Sequence, residues 1–201
     1  MYTQKRSSHP NPVLLSLAVC CLLILTLMAA FAHGQSGATN SPDDDKIVAD
    51  FGSRVKSYVE SRKKAGGTAK PTKESAELAK HKKETKAKVR SERADAKQGD
   101  IFAPEIAAYF RRQLAAALTG PKGGEIRASL RHAEPVAPVP LKVNESYPAG
   151  LALQSTPPSL LLNLPRLPKG LEYRIVGHDL VLHDSVTNLI VDLIPDALPN
   201  T

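Results

Sequence analysis

The chain has 201 residues and a formal net charge of +7, which leaves room for one ordinary domain together with additional segments. Hydrophobic residues make up 42% of it, but the first 32 residues hold a disproportionate share, and without Trp a core must be built mainly from aliphatic side chains. The sequence contains no nucleophile–base motif and no phosphate-binding loop, which argues against the common hydrolases and nucleotide-binding enzymes.

The N-terminal segment, residues 1–32, has the three parts of a secretory signal peptide. Lys5-Arg6 precedes an uncharged run, residues 13–32, that ends in Ala30-Phe31-Ala32. This pattern predicts export with cleavage after Ala32. The run is also long enough to span a bilayer, so an uncleaved membrane anchor is the alternative. The rest of the chain is expected outside the cytoplasm in both cases, either periplasmic or secreted, or anchored in the inner membrane with its C-terminus outside.

Both cysteines, Cys20 and Cys21, lie inside this apolar run. Apolar residues continue past Cys21, whereas a lipidated cysteine should end such a run, so the lipoprotein interpretation is not favoured. A cleaved chain would contain no cysteine, and it would therefore have no disulfide and no thiol chemistry.

Residues 33–40 are expected to form a flexible linker, and residues 41–98 a helical, partly basic region. Ser41 can cap a first helix with Pro42 in its first position. An apolar stripe at helical spacing is expected to dock on the next helix, with a partner protein or the membrane surface as alternatives. The stripe consists of Ile47, Phe51, Val55, Tyr58 and Val59, and the helix should end near Ala65-Gly66-Gly67.

A second helix, predicted from Thr72 to about Gln98, is strongly basic. Between Arg62 and Lys97 the sequence has thirteen Lys or Arg and five acidic residues, a net charge of +8, so the basic character is local. We favour a solvated, loosely docked helix, because charged runs on helices usually face solvent. The alternative is an arm that binds a polyanion such as anionic lipid. Nucleic acid is excluded by the predicted export and by the lack of aromatic residues for base stacking. The polyanion-binding candidates are Lys80, Lys82, Lys83, Lys86, Lys88 and Arg90.

Residues 99–133 are predicted to be a helical connector. A third helix begins at Asp100 or Pro104 and is stopped by Thr119-Gly120-Pro121. Its apolar face should pack against the C-terminal sheet. That face consists of Ile106, Tyr109, Phe110, Leu114, Ala117 and Leu118, and Glu125–His132 can form one more short helix.

The predicted fold class is α+β, with an N-terminal signal or anchor helix, two or three amphipathic or basic helices, and a small C-terminal domain over residues 139–199. Its most strand-like stretch is Leu171–Ile194. Turns at Gly177-His178 and at residues 184–188 divide this stretch into an antiparallel meander. The predicted strands are Glu172–Val176, Asp179–His183 and Leu189–Ile194, preceded by a short strand at Leu141–Asn144 and a short helix after Ser155.

Residues 139–195 of this domain follow a pattern that resembles one in known proteins. A proline-bounded passage leads to a hairpin with an Asp-x-x-Thr-x-x-Ile-Val turn and strand, filled here by Asp184, Thr187, Ile190 and Val191. The pattern resembles the C-terminal module of small exported bacterial proteins, many of them uncharacterised, including the RcnB type linked to periplasmic nickel and cobalt homeostasis. The resemblance implies an envelope protein and supplies no catalytic residue.

Two His-Asp pairs make His178 and His183 candidate metal ligands. Side chains alternate along a strand, so the two histidines should point to opposite faces. His183 and Asp179 would share a face about 13 Å apart, at ~3.3 Å per residue, and a third ligand is missing. We therefore expect no metal site and no cofactor. Asp192, which lies among apolar strand residues, is expected to point outward.

The sequence as a whole favours an exported cell-envelope protein without enzymatic activity that binds or supports another component. That component is an unknown envelope protein or an anionic surface, membrane contact is possible through residues 13–32, and no nucleic acid is expected. The alternatives are a periplasmic metal-homeostasis accessory protein and a binder of anionic surfaces through the basic helix.

Overall fold

A computed structural model describes residues 41–66, 74–132, 140–148 and 156–199. One compact unit extends from Pro42 to Thr201. The described residues contain helices α1 (Pro42–Gly66), α2 (Ser75–Glu92), α3 (Pro104–Thr119), α4 (Gly123–His132) and α5 (Pro158–Leu161), and strands β1 (Leu171–Val176), β2 (Asp179–Asp184) and β3 (Leu189–Ile194). The predicted α+β class with a C-terminal antiparallel meander is confirmed.

The predicted signal or anchor segment, its cleavage position Ala32 and the linker at residues 33–40 lie outside the described residues. Within the described ranges, the chain has no helix that is both long enough and apolar enough to cross a membrane.

The helices α1 and α2 form an antiparallel pair. Ser61 Oγ donates a hydrogen bond to Glu92 Oε2, and at the other end of the pair His81 Nε2 lies 2.9 Å from the carbonyl oxygen of Gly66. The first helix is thus docked on the second, as expected. In α2 only Thr85 and Val89 are buried, which confirms the loose docking of the basic helix. The helix ends at Glu92, not near Gln98.

An aromatic cluster connects the helices to the sheet. The Phe110 ring of α3 lies 5.0 Å from the ring of Phe51, 5.1 Å from that of Phe102 and 5.7 Å from that of Tyr173, measured between ring centroids. Since Tyr173 belongs to β1, the predicted packing of the third helix against the sheet is confirmed. Offset and edge-to-face rings add ~0.5–1.5 kcal/mol per pair beyond the burial of their apolar surface.

The sheet has the order β1-β2-β3, and one of its faces packs on the helices. A register shift occurs where β2 passes from Leu182 to His183: Leu182 pairs with Asp192, and His183 pairs with Ile190. Val191 is therefore an extra, bulged residue. After such a bulge, each residue of β3 points to the face opposite to the one that simple alternation predicts, because the extra residue shifts the pairing with β2 by one position.

The bulge explains why the expectation for Asp192 was wrong. The side chain does not point outward but is fully buried on the helix-facing side of the sheet. Its carboxylate accepts hydrogen bonds from the backbone N–H groups of Gly99, Ile101 and Phe102 at 2.7–3.0 Å. The aspartate thus fixes the loop between α2 and α3, and this loop occupies residues that had been assigned to the second helix.

A second buried carboxylate, Asp184, joins α1 to the end of β2. It accepts hydrogen bonds from Tyr58 Oη at 2.7 Å and from Arg62 Nη1 at 2.9 Å, and from backbone N–H groups of the turn that follows. Burial and the neighbouring Asp184 charge raise the pKa of Tyr58 far above its ordinary value, so this hydroxyl remains a neutral donor.

The two edges of the sheet differ. Residues 140–148 run beside the outer edge of β3, with hydrogen bonds from Asn144 N to the Ile190 carbonyl and from Tyr147 N to the Asn188 carbonyl. The predicted strand at Leu141–Asn144 was wrong, because pairing here is limited to an isolated bridge between Ser146 and Leu189. Asn144 has φ 64°, and this left-handed backbone prevents an extended strand.

Candidate functional site

A cleft with a volume of about 580 Å³ lies beside the outer edge of β1. Its size falls within the roughly 300–1,000 Å³ that is usual for small-molecule sites. The strand forms one wall, and the segment that follows α5 forms the other. The apolar part of the lining consists of Leu161, Leu164, Pro165 and Leu167, and the polar part includes Thr156, Arg166, Glu172 and Arg174.

Two prolines in the segment between α5 and β1 keep the two walls of the cleft apart. Pro165 and Pro168 lack a backbone N–H, so the segment between α5 and β1 cannot pair as a regular strand with the β1 edge. Leu160 and Leu164 are buried in the main core and anchor the segment. Tyr173 Oη donates a hydrogen bond of 2.9 Å to the Pro165 carbonyl, which ties the segment to the strand. The cleft is thus a consequence of a strand edge that the preceding segment approaches but does not cover.

A polar cluster forms the β1 side of the cleft. Glu172 Oε1 accepts a hydrogen bond from Arg174 Nη2 at 2.6 Å and lies 2.8 Å from Nδ1 of the buried His183. The other ring nitrogen of His183 lies 3.0 Å from Asn188 Oδ1. Asn188 donates through Nδ2 to the Tyr147 carbonyl, and this bond orients its amide with the oxygen towards the histidine. Both nitrogens of His183 therefore face oxygen atoms.

The electrostatics of this cluster favour an ionised glutamate. Burial alone would raise the pKa of Glu172, but the hydrogen bonds and charges of Arg174 and His183 outweigh it and lower the pKa below its ordinary value. Burial raises the pKa of Tyr173 strongly, so its hydroxyl stays neutral. The negative charge in the cleft is consequently matched by cationic and polar groups of the protein itself.

Two polar atoms of the cleft residues have no hydrogen-bond partner. Thr156 Oγ1 and Arg174 Nε are both buried and unpaired among the described residues. Leaving a buried donor without an acceptor costs about 1–3 kcal/mol, so native proteins keep few of them. Three other such atoms belong to Arg93, Asn144 and Thr187, none of which lines this cleft.

The candidate metal ligands are not brought together. His178 is exposed in the turn between β1 and β2, whereas His183 is buried beside Tyr147, with ring centroids 4.8 Å apart. Among the residues that the structure describes, no group of three or more His, Cys, Asp or Glu side chains could hold a metal ion. In addition, both nitrogens of His183 are already directed at oxygen atoms.

The structure divides the six polyanion-binding candidates into two groups. Lys86 donates to Ser146 Oγ, and Arg90 forms an ion pair of 2.9 Å with Glu145, so both face the segment beside β3. The remaining four are exposed and make no ion pair with another described residue. These four are Lys80, Lys82, Lys83 and Lys88.

Sequence reasoning did not identify the cleft. Alternation along β1 separates Arg174 from the core residues Tyr173 and Ile175, but it gives no reason to associate the arginine with Thr156, eighteen positions earlier. The two line the same cleft only because the proline-rich segment folds back along the strand edge. No short motif marks this arrangement.

Comparisons with known proteins give no further guide to the site. No protein-family model matches the chain, and neither a curated protein nor a solved structure is significantly similar to it.

Proposed function

We propose that the protein is an exported, non-enzymatic binding protein of the cell envelope, and that the cleft beside β1 binds a small amphipathic molecule with a carboxylate end. The observation that carries this proposal is the pair of buried, unpaired donors, Thr156 Oγ1 and Arg174 Nε, in residues that line one cleft. A carboxylate offers acceptor oxygens to both, and a guanidinium favours planar carboxylate groups in particular.

The rest of the lining fits the other end of such a molecule. Leu161, Leu164 and Leu167 give the cleft an aliphatic wall on which a hydrocarbon chain can pack. Burial of a CH₂ group contributes about 0.8 kcal/mol, so a chain of several carbons would add appreciable affinity. Glu172 does not oppose an incoming carboxylate strongly, because the Arg174 guanidinium already forms an ion pair with it.

The arrangement supports binding and gives no support to nucleophilic catalysis. The Thr156 hydroxyl has no hydrogen-bonded base among the described residues, although a nucleophile of this type needs one. The histidine of the cluster is engaged through both ring nitrogens. The metal-homeostasis alternative has no comparable support, since the two candidate histidines lie apart.

The ligand proposal is tested by titration calorimetry with decanoate, and with decanol as the uncharged probe of equal chain length. Decanoate should bind at least about tenfold more tightly than decanol, since one charge-assisted hydrogen bond contributes about 1.5–3 kcal/mol. Thr156→Val and Arg174→Met should each weaken decanoate binding by about tenfold and leave decanol binding nearly unchanged.

Lys169→Gln is the matched control, because this exposed lysine lies on the same loop but outside the cleft lining. Equal affinity for the two probes, absence of binding, or decanoate binding that neither cleft variant weakens would contradict the proposal. Thr156→Val keeps the test valid even if Arg174→Met unfolds the Glu172 cluster.

Export rests on the pattern of residues 1–32 and has its own test. Fractionation of the tagged protein followed by N-terminal sequencing should find a chain that begins at His33 outside the cytoplasm. A chain that begins at Met1 and is held in the inner membrane would indicate the anchor. A cytoplasmic chain that keeps Met1 would refute the proposed location without affecting the cleft.

A further inference from the structure

The outer edge of β1 carries backbone groups that point away from the rest of the sheet. Ser185 N donates to the Gly170 carbonyl, so the residue just before β1 directs its backbone towards β2. The next residue, Leu171, instead donates its N–H to a carbonyl of the segment that precedes the strand. Backbone groups alternate in this way along an antiparallel pair, so the N–H and C=O groups of Tyr173 and Ile175 also point outward.

These outward groups have no partner within the described chain. Apart from the ladder with β2, no hydrogen bond from a described residue reaches the backbone N–H or C=O of Tyr173 or Ile175. The two residues are 8% and 5% exposed, and backbone groups buried to this extent are nearly always paired in native proteins. The β3 edge has such partners in residues 140–148, whereas the described chain offers none to this part of the β1 edge.

The second wall of the cleft limits what can occupy this edge. The cleft is lined by Tyr173 on one side and by the segment with Leu164, Pro165 and Leu167 on the other. A second copy of the sheet would meet that segment, whereas a single extended chain needs only about 4.8 Å beside a strand. Peptides that add to a strand edge place alternate side chains in pockets, and the leucines of the cleft supply an aliphatic surface for them.

We propose that the ligand of the cleft is a short peptide, which adds to the β1 edge as a further strand and directs its C-terminal carboxylate to Thr156 and Arg174. The inference rests on the proposed binding of a carboxylate by these two donors. An extended backbone presents N–H and C=O groups every second residue, about 6.6 Å apart at ~3.3 Å per residue, which matches the outward groups of Tyr173 and Ile175. A fatty acid of the same length would leave those backbone groups unpaired.

The proposal is tested by titration calorimetry of the full chain with the peptide acetyl-Ala-Leu-Ala-Leu, which has a free C-terminus. In an added strand every second N–H points to β1, and the N–H groups between them point away. N-methylation of one of the two central amides should therefore weaken binding by about tenfold. N-methylation of the adjacent amide is the matched control and should change the affinity by less than about twofold. Conversion of the C-terminus to an amide should weaken binding by about tenfold.

Amide hydrogen exchange gives a second readout, on the protein itself. Saturating peptide should slow exchange of the N–H groups of Tyr173 and Ile175 by at least about tenfold, because these groups gain acceptors. The N–H groups of Arg174 and Val176 already face β2 and should exchange at nearly unchanged rates. Saturating decanoate offers no acceptor along the edge, and it should leave the exchange of Ile175 unchanged.

The outcomes separate this inference from the binding of a carboxylate. Decanoate binding together with equal effects of the two N-methyl peptides, or with no slowing of exchange at Tyr173 and Ile175, would overturn the peptide and leave the carboxylate proposal standing. Absence of binding by both decanoate and the peptide would overturn both. A dimer that forms with rising protein concentration and slows exchange at the same two residues without peptide would assign the edge to a second copy of the chain.

Discussion

Two buried carboxylates on the helix-facing side of the sheet and two donors of the cleft residues differ in how they are paired. On the helix-facing side, Asp192 accepts three backbone hydrogen bonds from the α2–α3 loop, and Asp184 accepts bonds from Tyr58, Arg62 and the following turn. In the cleft, by contrast, two donors remain unpaired. Unpaired buried atoms also belong to Arg93, Asn144 and Thr187, so the contrast is limited to these two carboxylates and the two cleft donors, for which we propose a ligand.

The two outer edges of the sheet differ in how their backbone is covered. The β3 edge is covered by residues 140–148, which bond to its backbone. The β1 edge adjoins a segment whose prolines cannot supply the same hydrogen bonds, and the cleft lies there. Where buried polar groups are hydrogen-bonded within the fold, mutation should lower the stability of the protein. In the cleft, mutation of the unpaired donors should lower ligand binding.

Asp192→Ala should cause the largest change, a loss of about 3–5 kcal/mol in the free energy of unfolding. The substitution leaves two buried N–H donors, those of Ile101 and Phe102, and the half-buried N–H of Gly99 without an acceptor. Each unpaired buried donor costs about 1–3 kcal/mol, partly offset by relaxation of the loop. Urea unfolding followed by circular dichroism measures the loss. Asp95→Ala is the control, because this exposed aspartate should change stability by less than about 0.5 kcal/mol. A loss below about 1 kcal/mol for Asp192→Ala would contradict the role assigned to this carboxylate.

The burial of Asp192 is a part of the fold that the sequence did not predict. Alternation and turn residues were sufficient to locate all three strands and both hairpins, because these signals are local. They did not reveal the bulge at Val191, since a bulge depends on the register that two strands adopt when they pair. One extra residue moved Asp192 from the outer face to the core. It thereby determined where α2 ends, because the carboxylate binds the loop that follows it.

The cleft was beyond sequence reasoning for a related reason. Thr156 and Arg174 come to line one cleft through the path of the intervening chain. That path depends on the burial of Leu160 and Leu164 in a core that the helices also form. The basic helix was more predictable. Its exposure follows from its composition, whereas the commitment of Lys86 and Arg90 to residues 145–146 does not.

Substitution of Glu172, which lines the cleft, should cause a smaller change in the free energy of unfolding, and this change should depend on pH. Its folded pKa lies below the ordinary value of 4.5, so the charged form stabilises the fold. This contribution is complete above pH 4.5 and is lost as the pH falls through the folded pKa. Glu172→Gln should therefore destabilise the protein near neutral pH, and the difference from wild type should shrink in acid.

Unfolding free energies of wild type and Glu172→Gln, measured from neutral pH down to about pH 3, test this effect. Glu84→Gln is the control, because Glu84 is exposed on α2 and lies outside the cluster. If the difference between wild type and Glu172→Gln were constant over the whole range, the glutamate would stabilise the fold through packing and not through its charge.

Thr156→Val should give the smallest change in stability and the sharpest contrast with Asp192→Ala. The substitution keeps the shape of the side chain and removes a buried hydroxyl that has no partner, so the free energy of unfolding should stay within about 0.5 kcal/mol of wild type or rise. Thr156→Ser is the matched variant, since it keeps the hydroxyl and loses a methyl group, and it should be less stable by up to about 1 kcal/mol. Urea unfolding measures both. A loss above about 1 kcal/mol for Thr156→Val would mean that the fold itself uses the hydroxyl, and the cleft would then retain only the unpaired donor of Arg174.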